Sequence, residues 1–205
     1  MRRAPVCGTG VGRALAGEGA PDAGAAHWRL VPFATPSPFV KPDPDKTYRY
    51  WFEDFPVGTT RSFGGLPVSR EAVIAFASQF DPQPFHLDDD AAAATLFGRL
   101  SASGWHTCAM AMRMMCADYL LDSASLGSPG VDHVRWLAPV FPGDTLHGRM
   151  DVLEARPMKS RPHVGLVRSR WTITKHDGTE VLTMEGWGMF RRRGVPEPEA
   201  GGPAG

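Results

Sequence analysis

The sequence predicts an α+β domain in which a curved antiparallel β-sheet wraps around one long central α-helix. Three observations lead there. Apolar residues recur at helical spacing along 105–119, with Trp105, Cys108, Ala109, Met112, Met115, Cys116 and Tyr119 in one set, and Met110, Met114 and Leu120 covering the other side. A helix apolar nearly all round is a buried one. Four strand-like segments then follow at 133–140, 144–155, 164–175 and 179–193, and another precedes the helix at 59–66. A sheet of about five strands buries such a helix only by curving around it.

Composition divides the 205 residues into three parts. Residues 1–45 are rich in Gly, Ala and Pro and hold no sustained period. Such a segment buries too little apolar surface to offset its ordering entropy, and disorder is expected there. Arg2, Arg3 and Arg13 with few acids suit a transit peptide, but glycines interrupt 11–20, where a secretory signal needs an apolar run. The extension therefore reads as an untargeted tail, ending in a proline-rich strap over 33–44. The folded domain is expected over 46–193. A disordered Pro, Glu and Gly tail is expected over 194–205.

Bulk properties exclude several classes. Lys plus Arg number 22 and Asp plus Glu number 22, so no net charge points to a nucleic-acid partner. Three cysteines without regular spacing make neither a disulfide framework nor a zinc site, and read as reduced thiols of a cytoplasmic protein. No apolar run approaches the roughly 20 residues that span a bilayer.

In chain order, Pro56-Val57-Gly58 turns into the first strand, where Gly64-Gly65 suggests a bulge. Ser69 is the N-cap of a helix reaching residue 79, with Val73, Phe76, Ala77 and Phe80 on one face. That helix delivers the chain to Asp81-Pro82-Gln83-Pro84-Phe85-His86. Two prolines fix φ, remove amide donors and push the residues before them toward extended conformations. Asp81 and His86 are thus a carboxylate and an imidazole on a stiff, irregular loop, which suits an acid/base pair whose geometry is set before substrate arrives. Asp88, Asp89 and Asp90 open a short helix; consecutive residues point apart there, so they are not a metal site. Small residues Ser101 to Gly104 lead into the long helix, whose free first amides stabilise a developing negative charge. His176-Asp177-Gly178 is the hairpin turn between the last two strands.

These motifs resemble the MaoC-type dehydratases, a hot-dog-fold group that includes the (R)-specific enoyl-CoA hydratases. The hydratase motif Asp-x-Asn-Pro-Leu/Ile/Val-His is similar to Asp81 through His86, with Gln83 in place of Asn and Phe85 in place of a smaller aliphatic residue. A small-residue loop ending in Gly matches Leu100 through Gly104, and Pro-Val-x-Pro-Gly-Asp-x-Leu matches Pro139 through Leu146. The resemblance implies the hot-dog fold and a trans-2-enoyl or 3-hydroxyacyl thioester of coenzyme A as substrate. It implies that Asp81 and His86 hold the catalytic water and that the Gly104 amide meets the thioester oxyanion. Gln83 remains able to hydrogen-bond, and Ser101 is expected to orient Asp81. Phe85, Trp105 and Met112 are expected to line the acyl pocket, with Met115 setting its depth. Lys159 and Arg161 are candidates for the coenzyme phosphates. No metal or redox cofactor is expected, and a homodimer through exposed sheet edges is. A thioesterase on the same fold, or a non-catalytic acyl-thioester-binding module, are the alternatives.

Overall fold

The computed structural model describes residues 47–197. The expectation of disorder over 1–45 lies outside these residues. The tail expected from Gly194 is described as far as Glu197, whose carboxylate pairs with Arg191.

The α+β architecture is present. Strands β1 (Thr60–Pro67), β2 (Ser125–Trp136), β3 (Thr145–Met158), β4 (Arg161–Lys175) and β5 (Glu180–Arg191) form one sheet in the order β1-β3-β4-β5-β2, every pair antiparallel. Helices α1 (Arg70–Phe80), α2 (Asp89–Ala93) and α3 (Gly104–Met115) lie between β1 and β2 in sequence. Alternation sorts the sheet's two faces. Met150, Val152, Val167, Ile173, Leu182 and Met184 are buried in one core with Met110, Met114 and Met115 of α3. The other face carries charge: Arg168 pairs with Glu154 at 2.9 Å and with Glu185 at 3.2 Å.

The bulge in β1 falls where Gly64-Gly65 predicts it, between Gly64 and Leu66. Gly64 has φ +125°, and a Cβ there would stand 2.6 Å from the His147 backbone. Both facts exclude a side chain. Ser69 caps α1 by accepting from the Ala72 amide at 3.1 Å.

Two expectations need correction. The strand expected at 133–140 begins eight residues earlier and ends at Trp136. The added length carries Gly127, Pro129 and Gly130, which β2 accommodates because it is an edge strand, where Pro and register shifts are tolerated. And α3 is not buried all round. Thr107, Met110, Ala111, Met114 and Met115 face the core, while Trp105 is 60% exposed and Met112 50%. The apolar set on that second face is real, but among the described residues nothing covers it completely. The helix then widens into a π-turn, Cys116–Leu120, which carries buried Tyr119.

Candidate active site

Asp81 stands where it does because α1 must stop there. Pro82 has no amide and disfavours helix at the residue before it. Asp81 therefore leaves helical dihedrals at φ −152°, while its amide still donates to Ala77 O at 2.9 Å. The chain turns at once: Gln83 N donates to Asp81 O (2.7 Å), and His86 N to Gln83 O (2.9 Å). Pro84–His86 form a single 3-10 turn. Backbone bonds and two prolines thus hold the loop, as its stiffness in sequence implies.

Both carboxylate oxygens of Asp81 are engaged. Gln83 Nε2 donates to Oδ1 at 2.8 Å, and Ser103 Oγ donates to Oδ2 at 2.6 Å. His86 Nε2 lies 3.5 Å from the same Oδ2. Burial alone would push this carboxyl up. The hydrogen bonds from Ser103 and Gln83, with the His86 ring, outweigh it and hold Asp81 below the usual carboxylate value. Gln83, although longer than Asn, bends back onto Asp81.

His86 is buried, and its Nδ1 lies 2.8 Å from the Ser101 carbonyl. A carbonyl only accepts, so Nδ1 carries a proton, and Nε2 is the ring nitrogen that faces Asp81. Phe85 packs against this ring with centroids 4.5 Å apart. It does not line the cavity described below.

The contact with Asp81 expected of Ser101 is made by Ser103. The hydroxyl on Asp81 belongs to Ser103, while Ser101 serves His86 through its carbonyl and leaves its own buried Oγ without a partner among the described residues. The alternation is set by Ala102, whose amide donates to Val140 O at 2.8 Å and fixes the loop to the Pro139–Leu146 motif. Ser103 is fully buried and is also the N-cap of α3, accepting from the Trp105 amide at 3.2 Å. Gly104 opens the helix. Trp136 closes over it: the indole N–H donates to Gly104 O at 2.8 Å, and a Cβ at Gly104 would meet the indole at 2.7 Å.

Trp105 and Met112 line a cavity of about 560 Å3 between α3 and strands β2, β4 and β5. Met115, Tyr119, Trp171 and Phe190 line it as well. Lys159 and Arg161 are not among the residues that line this cavity. They sit at the far end of β4, whose near end is marked by the Ile173–Leu182–Trp136 register. Arg161 is twelve residue steps of strand, roughly 40 Å, from Ile173 and so from the start of α3. His106, which sequence reasoning passed over, stacks on Phe76 at 4.6 Å. Burial pushes its imidazole down and keeps it neutral. Among the described residues no group of three His, Cys, Asp or Glu side chains is placed to hold a metal, and no helix is long and apolar enough to cross a membrane.

Comparison with known proteins places this arrangement. The model of the MaoC-like domain matches residues 54–172. A MaoC-like dehydratase from Rhodospirillum rubrum superposes with a TM-score of 0.66 at 38% identity, covering 71% of this chain and 99% of that one. The uncharacterized protein YdeM of Bacillus subtilis is 26% identical over 134 residues, 65% of this chain and 92% of its own. The (R)-hydratase PhaJ1 of Pseudomonas aeruginosa shares the fold, with a TM-score of 0.55 at 22% identity over 74% of this chain and 96% of that one. The family match runs through Asp81, His86 and Gly104 on an antiparallel sheet with one long helix, and the chain belongs to the MaoC-like family of hot-dog-fold proteins.

Proposed function

We propose that this protein is a hydro-lyase that adds water to, or removes it from, the C2–C3 bond of a trans-2-enoyl or 3-hydroxyacyl coenzyme A thioester. The observation that carries the reading is the pair Asp81 Oδ2 and His86 Nε2, held 3.5 Å apart beside the start of α3, with Nε2 acting as an acceptor in the neutral ring. A water donating one hydrogen to each turns its lone pairs outward, toward an electrophilic carbon. As that oxygen bonds to C3, His86 takes one proton and returns it at C2 on the same face. Addition is syn, no proton is consumed, and dehydration is the reverse. Asp81, kept anionic by Ser103 and Gln83, holds the second hydrogen and steadies the imidazolium. Charge that builds on the thioester oxygen meets the Gly104 amide and the positive end of α3. The acyl chain runs along the Trp105–Met112 face. The chemistry asks for no metal or redox group.

Two copies complete the assembly in this reading. β2 is an exposed edge that carries Val131 and Trp136, next to exposed Trp105 and Met112 of α3. A second copy pairing on it would extend the sheet and cover that face.

The test is purified protein with trans-2-enoyl-CoAs of several lengths. Loss of enoyl absorbance without free thiol is expected. Asp81→Asn and His86→Asn are each expected to lower kcat about 100- to 10,000-fold. The second substitution retains an N–H donor for the Ser101 carbonyl. Thiol release in place of hydration would make the protein a thioesterase, and neither signal at any length would leave a binding module.

A further inference from the structure

We propose that the acyl group taken by this site is a long, uncharged hydrocarbon chain of about ten to sixteen carbons, laid out along α3. The proposal deepens the hydratase reading and rests on it for the position of the thioester. Three features of the cavity carry it.

The first is length. Along the helical wall the lining runs from Trp105, one residue past Gly104, to Tyr119 and Leu120. Trp105 and Tyr119 are fourteen residues apart, which is roughly 20 Å of helix. An extended chain advances roughly 1.25 Å per carbon, given bonds of about 1.5 Å at tetrahedral angles. The cavity is therefore as long as a chain of about sixteen carbons. The second is volume. A methylene fills nearly the space of a liquid water, about 30 Å3. The 560 Å3 available thus exceeds what a four-carbon group occupies several-fold.

The third is chemistry. None of the lining residues is charged, so a chain ending in carboxylate or phosphate would be desolvated there with no counter-charge. The deep-end phenol is already used: Tyr119 OH accepts from Trp171 Nε1 at 3.1 Å. Four methionines, Met112, Met115, Met150 and Met184, share the wall with aromatic rings. Their flexible side chains adapt to chains of differing length. A broad optimum follows, not a single preferred substrate.

The experiment uses the full-length protein and saturated acyl-CoAs from butyryl to palmitoyl, below their micelle concentrations, with affinity read by calorimetry. Binding is expected to tighten up to about fourfold per added methylene until the cavity is filled, then level off. Met112→Trp fills the groove from the helix side and is expected to reduce the ratio of lauroyl to butyryl affinity at least tenfold. Ser169→Leu, from the opposite wall, serves the same end should the first variant fail to fold. Affinity independent of chain length overturns the proposal, since the groove would then be filled by another part of the protein or by a second copy. A length ratio unchanged in both variants also overturns it. Chain-dependent binding without any hydration would refute the hydratase reading and leave the cavity assignment standing. Hydration of crotonyl-CoA with flat binding would do the opposite.

Discussion

At the scale of single residues the site turns on one hydroxyl. Ser103 Oγ donates to Asp81 and accepts from Trp105 N, so one atom ties the carboxylate to the start of α3. In Ser103→Ala the carboxylate loses a donor and its pKa rises toward the ordinary value near 3.9. The acid limb of kcat/KM is expected to move to higher pH, and kcat at neutral pH to fall about tenfold or more. The sign for stability follows from the lowered folded-state value. Asp81 contributes stability that is present above its unfolded pKa and lost as pH falls through its folded pKa. The variant's deficit in Tm is therefore expected to shrink as pH drops below about 4. What remains at low pH is the cap to Trp105, a loss of about 1 kcal/mol. A pH–rate profile beside melting curves at two pH values checks both parts. An acid limb that did not move would separate Ser103 from Asp81. Sequence made Asp81 and His86 legible because prolines advertise a stiff loop. It did not show which of Ser101 and Ser103 reaches Asp81. That choice depends on how α1 packs against α3 and on the Ala102–Val140 bond, neither of which is local.

At the scale of elements, the α1 cap, the bulge and four of the five strands were legible from Ser69, Gly64 and alternation. α3 was legible as a helix but not in its burial. Its apolar pattern has two faces, and the described residues bury only one of them. Periodicity counts apolar residues and does not say whether the protein's own core or something else covers them. Position 104 tests how the helix start is used. Helix propensity alone favours Ala over Gly by about 1 kcal/mol. Here the added Cβ would strike the Trp136 indole at 2.7 Å and threaten its bond to Gly104 O. Trp136 is partly exposed and has room to move, so Gly104→Ala is expected to keep Tm within a few degrees. The displaced amide would no longer meet the oxyanion. kcat/KM is expected to fall at least tenfold, as on loss of an oxyanion donor. A large drop in Tm with kcat/KM preserved in the surviving folded fraction would make Gly104 a packing residue only.

At the scale of the whole molecule the unanswered demand is the sheet's open side. The order β1-β3-β4-β5-β2 leaves two edges. β1 is short, bulged at Gly64 and ends in Pro67, features that blunt an edge. β2 is longer and exposed along nearly all its length. A two-fold axis between His133 and Val134 would set Asp132 of one copy opposite Arg135 of the second, twice over. An isologous strand pair needs this self-complementarity. Opposite charges across strands favour pairing, and like charges oppose it, by up to about 1 kcal/mol each. Arg135→Asp places Asp against Asp at both positions and is expected to weaken the dimer about tenfold or more. Asp132→Arg in the same chain restores complementarity with the signs exchanged and is expected to recover it. Sedimentation at several concentrations and salt levels reads both, and the difference should shrink as salt screens these exposed charges. If Arg135→Asp dimerised like the parent, β2 would not pair in this register. Loss in both variants would mean that the strand is needed but the charges are not matched across it. Activity measured in parallel adds one more reading. A monomer that had lost long-chain affinity but kept its melting temperature would show that the second copy closes the groove along α3.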